Sequence, residues 1–189
     1  MPTYIVLLRA VNVGGTGKLP MSDFRALLEK LKCKRVETYI QSGNAVFEAA
    51  CSAERIAADI AVALEKHLGA PFGVVVRTAD QLKRILDRNP YTAESAANGA
   101  LVHAAFLAGR AGKDAEAALA AIAARYPTRR DRYTLDGDTI YFHFPDGAGE
   151  TKFSGKTLDK AIGVSGTGRN WNTVLKLYEM ARSRESQLS

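Results

Sequence analysis

An arginine set inside an apolar run, followed by an asparagine and paired glycines, is chemistry for holding an anion. The run is Tyr4-Ile5-Val6-Leu7-Leu8-Arg9-Ala10-Val11-Asn12-Val13-Gly14-Gly15. A guanidinium offers two parallel donors, and glycines let backbone N–H groups come close to a ligand. A second polar group, Gln41-Ser42-Gly43-Asn44, separates two short apolar stretches. A third, Arg169-Asn170-Trp171, opens a helical pattern, where free N–H groups and the helix dipole attract negative charge. Each set also has an ordinary structural use. Asn12, Ser42 and Asn44 are turn formers, Gly14 and Gly15 supply positive φ, and Asn170 is a helix cap.

Better-defined chemistries fail on their spacing. Gly14-Gly15-Thr16-Gly17-Lys18 is not a phosphate loop, because Asn12 stands where its first glycine belongs and Leu19 replaces the magnesium-binding hydroxyl. Gly163–Gly168 has the right gap, but Arg169 and Asn170 follow it. No G-x-G-x-x-G follows a strand and opens a helix, so no dinucleotide is implied. The three histidines, His67, His103 and His143, lie far apart, and no zinc-ligand spacing occurs. No metal and no cofactor is expected. Cys33 and Cys51 read as packing residues rather than nucleophiles or a disulfide, and such sparse cysteine points to the cytoplasm. His103 and His143 fall on strands that should be neighbours, which admits an acid–base pair beside the default of two structural histidines.

The elements that must position these residues follow from hydrophobic period. Strands are expected at Thr3–Val11, Val36–Gln41, Ala45–Ala49 and Phe72–Arg77. Two helices lie between them, one capped by Ser22 with Phe24, Leu27, Leu28 and Leu31 on a stripe. The other is capped by Ser52, carries Ile56, Ile60, Leu64 and Leu68, and ends at Gly69. A third helix opens with the capping box Thr78-x-x-Gln81, and residues 90–99 read as a polar linker. The order then recurs. Strands at Leu101–Ala108, Arg130–Leu135 and Thr139–Phe144, with an Asp136-Gly137 turn, accompany a helix over Lys113–Ala124. Another helix ends at Gly163, a short strand is expected at Val164–Thr167, and a last helix starts near Asn170.

β-α-β-β-α-β thus appears twice, the order of the ferredoxin-like split βαβ motif. The expected class is α+β. It divides into a ferredoxin-like subdomain over 1–78, a linker helix and loop over 79–99, a second ferredoxin-like subdomain over 100–168 and a C-terminal helix over 169–189. In such a module the first strand ends beside the hairpin joining strands two and three. Arg9, Asn12, Gly14 and Gly15 should therefore meet Gln41, Ser42 and Asn44.

Composition narrows the partners only coarsely. The 189 residues are 47% hydrophobic and 24% charged, which excludes a disordered or collagen-like chain. No apolar run reaches the roughly 18 residues of a membrane helix, and no signal peptide precedes the first strand. The formal charge is +6. Its densest cluster, Arg125, Arg129, Arg130 and Arg132, suits either a charged strand edge or contact with nucleic acid. No RNA-recognition strand motif supports the second use.

The three polar segments together resemble a widespread bacterial family catalogued only as a domain of unknown function (number sixteen-ninety-seven). The resemblance rests on the Tyr4–Gly15 run, on Thr38-Tyr39-Ile40-Gln41-Ser42-Gly43-Asn44 and on Arg169-Asn170-Trp171-Asn172-Thr173-Val174, and it spans the whole chain. It implies two ferredoxin-like subdomains and no particular activity. A T-x-R-N-W-N-T pattern belongs to the resemblance and is matched by Thr167 through Thr173. A Gly-x-Ser-Lys loop does not match, because Gly149-Glu150-Thr151-Lys152 stands there. Three functions follow in order of expectation: a domain acting on a small anionic ligand at the end of the first sheet, a nucleic-acid module, and a protein-interaction module without chemistry.

Overall fold

The computed structural model describes residues 1–13 and 17–185. Its contacts form two units, one of Met1–Asp87 with the last helix from Leu175, the other of Arg88–Val174. The first unit runs β1 (Thr3–Leu8), α1 (Met21–Lys30), β2 (Lys34–Tyr39), β3 (Asn44–Glu48), α2 (Ala53–Leu68) and β4 (Val74–Thr78), followed by α3 (Ala79–Asp87). The second begins with α4 (Thr92–Ala97). It continues through β5 (Val102–Leu107), α5 (Ala115–Arg125), β6 (Arg132–Asp136), β7 (Thr139–His143), α6 (Gly155–Ile162) and β8 (Gly166–Asn170). The last helix, α7 (Trp171–Glu185), begins in the second unit and ends in the first.

Each unit builds one antiparallel four-stranded sheet, in the orders β2-β3-β1-β4 and β6-β7-β5-β8. This is the ferredoxin-like split βαβ topology, present twice. The period of two explains the packing of β1. Tyr4, Val6 and Leu8 share a core with Phe24 and Leu28 of α1 and with Ile56, Ile60 and Leu64 of α2. Those helical residues recur every three or four positions, so one stripe of each helix is buried. Each large apolar side chain buried this way contributes about 1.5–3 kcal/mol. The second unit repeats the scheme with Ala105, Leu107, Leu119, Phe142 and Ile162.

Four local expectations change. β1 stops at Leu8, because Ala10 and Asn12 adopt positive φ of 58° and 56° and turn the chain out of the sheet. α1 starts at Met21 after Pro20, so Ser22 lies inside the first turn and caps nothing. The polar linker contains α4, a six-residue helix with no buried residue and hence no apolar period to read. The last strand of the second unit is Gly166–Asn170 rather than Val164–Thr167, and it carries the buried polar residues Thr167 and Arg169.

β2 lies at a sheet edge, and arginines occupy two of its carbonyls. Arg25 of α1 donates from Nε (3.1 Å) and Nη2 (2.6 Å) to the Val36 oxygen. Arg184 of α7 donates to the Arg35 oxygen and, at 3.1 Å, to Glu37. Arg35 has a φ of 48° where the register with β3 shifts, a bulge that frees its carbonyl from the ladder. Among the described residues, no helix is long and apolar enough to cross a membrane.

Candidate functional site

The end of β1 is gripped on both sides by backbone. Leu8 N–H donates to the Gly43 oxygen (2.8 Å) in the β2–β3 turn, and Arg9 N–H donates to the Gly73 oxygen (2.9 Å) just before β4. Gly43 must be glycine, and Gly73 has little room for a side chain. A Cβ on Gly43, whose φ is 78°, would stand 2.5 Å from Val11 Cγ2 and 2.8 Å from Leu8 Cβ. A Cβ on Gly73 would stand 3.0 Å from Arg9 Cβ and 3.3 Å from its Cδ, so the arginine stem runs across that bare Cα. The residue type is what sequence reasoning missed at Gly73; its one signal is a glycine opening an otherwise β-branched strand.

Asn12 ties the β1–α1 loop together and to the hairpin. Its Nδ2 donates to the Leu19 oxygen (2.8 Å) and the Gln41 oxygen (2.7 Å), and its Oδ1 accepts from Leu19 N–H (2.8 Å). Asn44, fully buried, donates through Nδ2 to the Tyr39 oxygen (3.1 Å) and to Ser42 Oγ (2.9 Å). Both carboxamides therefore spend their N–H groups inside the chain. Arg9 and Ser42 are half-buried and the Gln41 side chain is exposed. Arg9, Asn12, Gln41, Ser42 and Asn44 thus meet at one sheet end, whereas Gly14 and Gly15 lie outside the described residues. Ile40 has a φ of 48°, unusual for a β-branched residue, so three non-glycine positive-φ residues surround the site with Ala10 and Asn12.

Arg169 and Asn170 belong to the second unit, at the β8–α7 junction. Arg169 is buried and donates from Nη1 to Thr167 Oγ1 (2.7 Å) and the Gly168 oxygen (2.8 Å). Burial pulls its pKa down to about 10. Asn170 Oδ1 accepts from Thr173 N–H (2.9 Å), the capping bond. Trp171 packs on Tyr141 with ring centroids 6.4 Å apart, and its backbone N–H donates to the Gly99 oxygen (3.0 Å). A Cβ on Gly99 would fall 2.2 Å from Asn172 Oδ1. The motif residues from Thr167 to Thr173 all take part in building this strand-to-helix turn.

The duplication becomes legible at residue level in the backbone bonds. Leu107 N–H donates to the Asp138 oxygen and Ala108 N–H to the Ser165 oxygen, both at 2.9 Å, repeating the bonds of Leu8 and Arg9. Ala111 N–H to the Gly137 oxygen (3.3 Å) stands where the Asn12 side chain reaches Gln41. The position of Arg9 is therefore alanine in the second unit, and the glycine acceptors are Asp138 and Ser165.

Two arginines of the second unit's cluster are paired with carboxylates. Arg130 pairs with Asp146, and Arg132 with Glu94. Arg132 also approaches His143 Nδ1 at 2.9 Å and lies 5.0 Å above the Tyr91 ring. A guanidinium only donates, so Nδ1 accepts and the imidazole proton sits on Nε2. Burial, then the charge of Arg132, lowers the His143 pKa, whereas hydrogen bonding by Arg132 holds Glu94 below the usual carboxylate range. His103 packs against Phe144 with the rings tilted by 50° and their centroids 5.3 Å apart. Its partner across the ladder is Phe142 and that of His143 is Val102, so the two imidazoles face opposite sides of the sheet and form no acid–base pair. Among the described residues no cluster of metal-ligating side chains occurs.

A family model described as "Protein of unknown function (DUF1697)" matches residues 1–141. The solved structure of the conserved bacterial protein SP0830 from Streptococcus pneumoniae is similar in fold, with a TM-score of 0.67 and 21% identity. The likeness covers 95% of this chain and 98% of that one. No curated protein matches significantly.

Proposed function

This chain belongs to the protein family of unknown function DUF1697, and from that premise we propose that its first unit binds a small anionic ligand at the end of β1. The carrying observation is the asymmetry of the duplication: the same backbone frame recurs, and only the first copy places an arginine there, between two glycine-lined approaches. Arg9 supplies the charge and Gln41 an exposed amide, while Asn12, Ser42 and Asn44 hold the two loops in position. A carboxylate or phosphate suits a guanidinium fork. Arg169 and Asn170 belong to the second unit, where they build the β8–α7 turn. The nucleic-acid reading has less support, since Arg130 and Arg132 already pair with carboxylates. Two free cysteines, Cys33 buried and Cys51 half-buried, support a cytoplasmic setting.

The test is an NMR titration of the full chain with inorganic phosphate, and separately with a single-stranded oligonucleotide at two salt concentrations. Phosphate should shift the amides around Arg9 and Gly43, and Arg9→Ala should weaken it more than about tenfold. Replacing Arg129, Arg130 and Arg132 with alanine should leave phosphate binding unchanged. Tight, salt-sensitive oligonucleotide binding lost only in that triple variant would overturn the proposal.

A further inference from the structure

The first unit has a concavity on the helical side of its sheet. α1 and α2 leave a groove of about 590 Å³ between them. That is ligand-sized, since small-molecule sites run from about 300 to 1,000 Å³. Along α1 the groove is lined by Asp23, Ala26, Leu27, Lys30 and Leu31, one continuous stripe at helical spacing. α2 contributes Ala63, Lys66 and His67. The floor is apolar, with Leu27 buried and Leu31 and Ala63 packed on the core beneath.

The charge on the rim is unbalanced: Lys30 and Lys66, with the His67 imidazole, face a single carboxylate, Asp23. Some exposed cations on this chain's helices pair along their own helix, as Arg55 does with Asp59, Lys83 with Asp87 and Lys176 with Glu179. Among the described residues, Lys30 and Lys66 have no such partner. The stripe from Asp23 to Leu31 rises about 12 Å along the helix axis, room for an extended alkyl chain of medium length.

We propose that the groove between α1 and α2 binds a small amphiphilic anion, a medium-chain carboxylate, with its alkyl chain on Leu27, Leu31 and Ala63 and its head on the lysine rim. The chemistry is complementary at both ends, apolar against apolar and anion against unpaired cation. This site shares no residue with the one at Arg9, so the failure of either leaves the other standing.

Hexanoate, octanoate and decanoate titrated into the full chain, followed by amide shifts and calorimetry, test it. Affinity should rise about two- to fourfold per methylene, because each one leaves water for the groove floor. Lys30→Gln with Lys66→Gln should weaken decanoate at least about fivefold while leaving thermal unfolding unchanged, since both side chains are exposed. Leu31→Gln should flatten the chain-length dependence. Arg9→Ala should change none of this. Absence of decanoate binding at millimolar concentration, or binding indifferent to chain length and to the lysines, would overturn the proposal. So would an acidic helical peptide, or a second copy of the chain detected by sedimentation, occupying these residues in place of decanoate.

Discussion

Arg184 donates its guanidinium to the main-chain oxygen of Arg35, the residue whose positive φ makes the bulge in β2. The side chain is buried, and its other contact is Glu37 at 3.1 Å. Arg184→Met keeps the aliphatic stem and removes both bonds. It should lower stability by about 1–3 kcal/mol, the worth of hydrogen bonds to a charged group when one partner stays behind. Urea unfolding reads this directly, and an unchanged midpoint would show that the bond adds nothing.

Asn12 makes three hydrogen bonds with its carboxamide from a backbone φ of 56°. Asn12→Gly keeps the backbone freedom and loses the bonds, while Asn12→Ala loses both. We expect about 1–3 kcal/mol for the glycine variant and about 1 kcal/mol more for alanine. Hydrogen exchange at Leu19 should accelerate in both, because its N–H loses its acceptor.

His103 has a buried, unpartnered Nδ1, and burial pushes its pKa from 6.5 down to about 4. Below about pH 6.5 the unfolded chain takes up a proton that the folded chain refuses. Stability is therefore complete above that pH and falls as the pH drops toward about 4, by up to about 3 kcal/mol. His103→Phe should remove this component. Unfolding midpoints of both proteins at pH 7, 6 and 5 should converge as the pH falls if the variant is the less stable at neutrality, and separate if it is the more stable. Parallel curves would refute the assignment.

Cys33 is buried, and desolvation first, then Cys51, raises its thiol pKa to about 11. Only a thiolate attacks, so Cys33 should stay silent toward a disulfide reagent at pH 8. Cys51, half-buried, should react in the native protein, and a second equivalent should appear only on unfolding. Mass spectrometry of the labelled sites decides this.

The sequence displays the element order because core helices and strands write their own period: Phe24, Leu27 and Leu28 mark α1 as plainly as Ile56, Ile60 and Leu64 mark α2. Ser52 and the Thr78–Gln81 box also act as expected, with Ser52 Oγ accepting from Arg55 N–H (3.3 Å) and both box bonds formed (2.8 and 3.1 Å). What escapes is structure without an apolar signature. α4 buries nothing, and β8 buries Thr167 and Arg169, whose hydrogen bonds no pattern announces. At the candidate site, the meeting of Arg9 with the hairpin follows from topology alone. That Asn12 and Asn44 are internally committed does not follow, because turn-forming and ligand-binding asparagines look alike until their partners are seen.

α7 enters the second unit at Trp171 and leaves in the first from Leu175 onward. On a ribosome this ordering has a consequence in time. The sheet of the first unit is synthesised early, but the arginine that seats on the Arg35 carbonyl is made 149 residues after it. Translation at about 5–20 residues per second inserts all of Arg88–Val174 in between, a delay on the order of 5–15 s. Through that interval the bulged edge of β2 is left to water or to a chaperone, and the nascent first unit closes it only when Arg184 emerges.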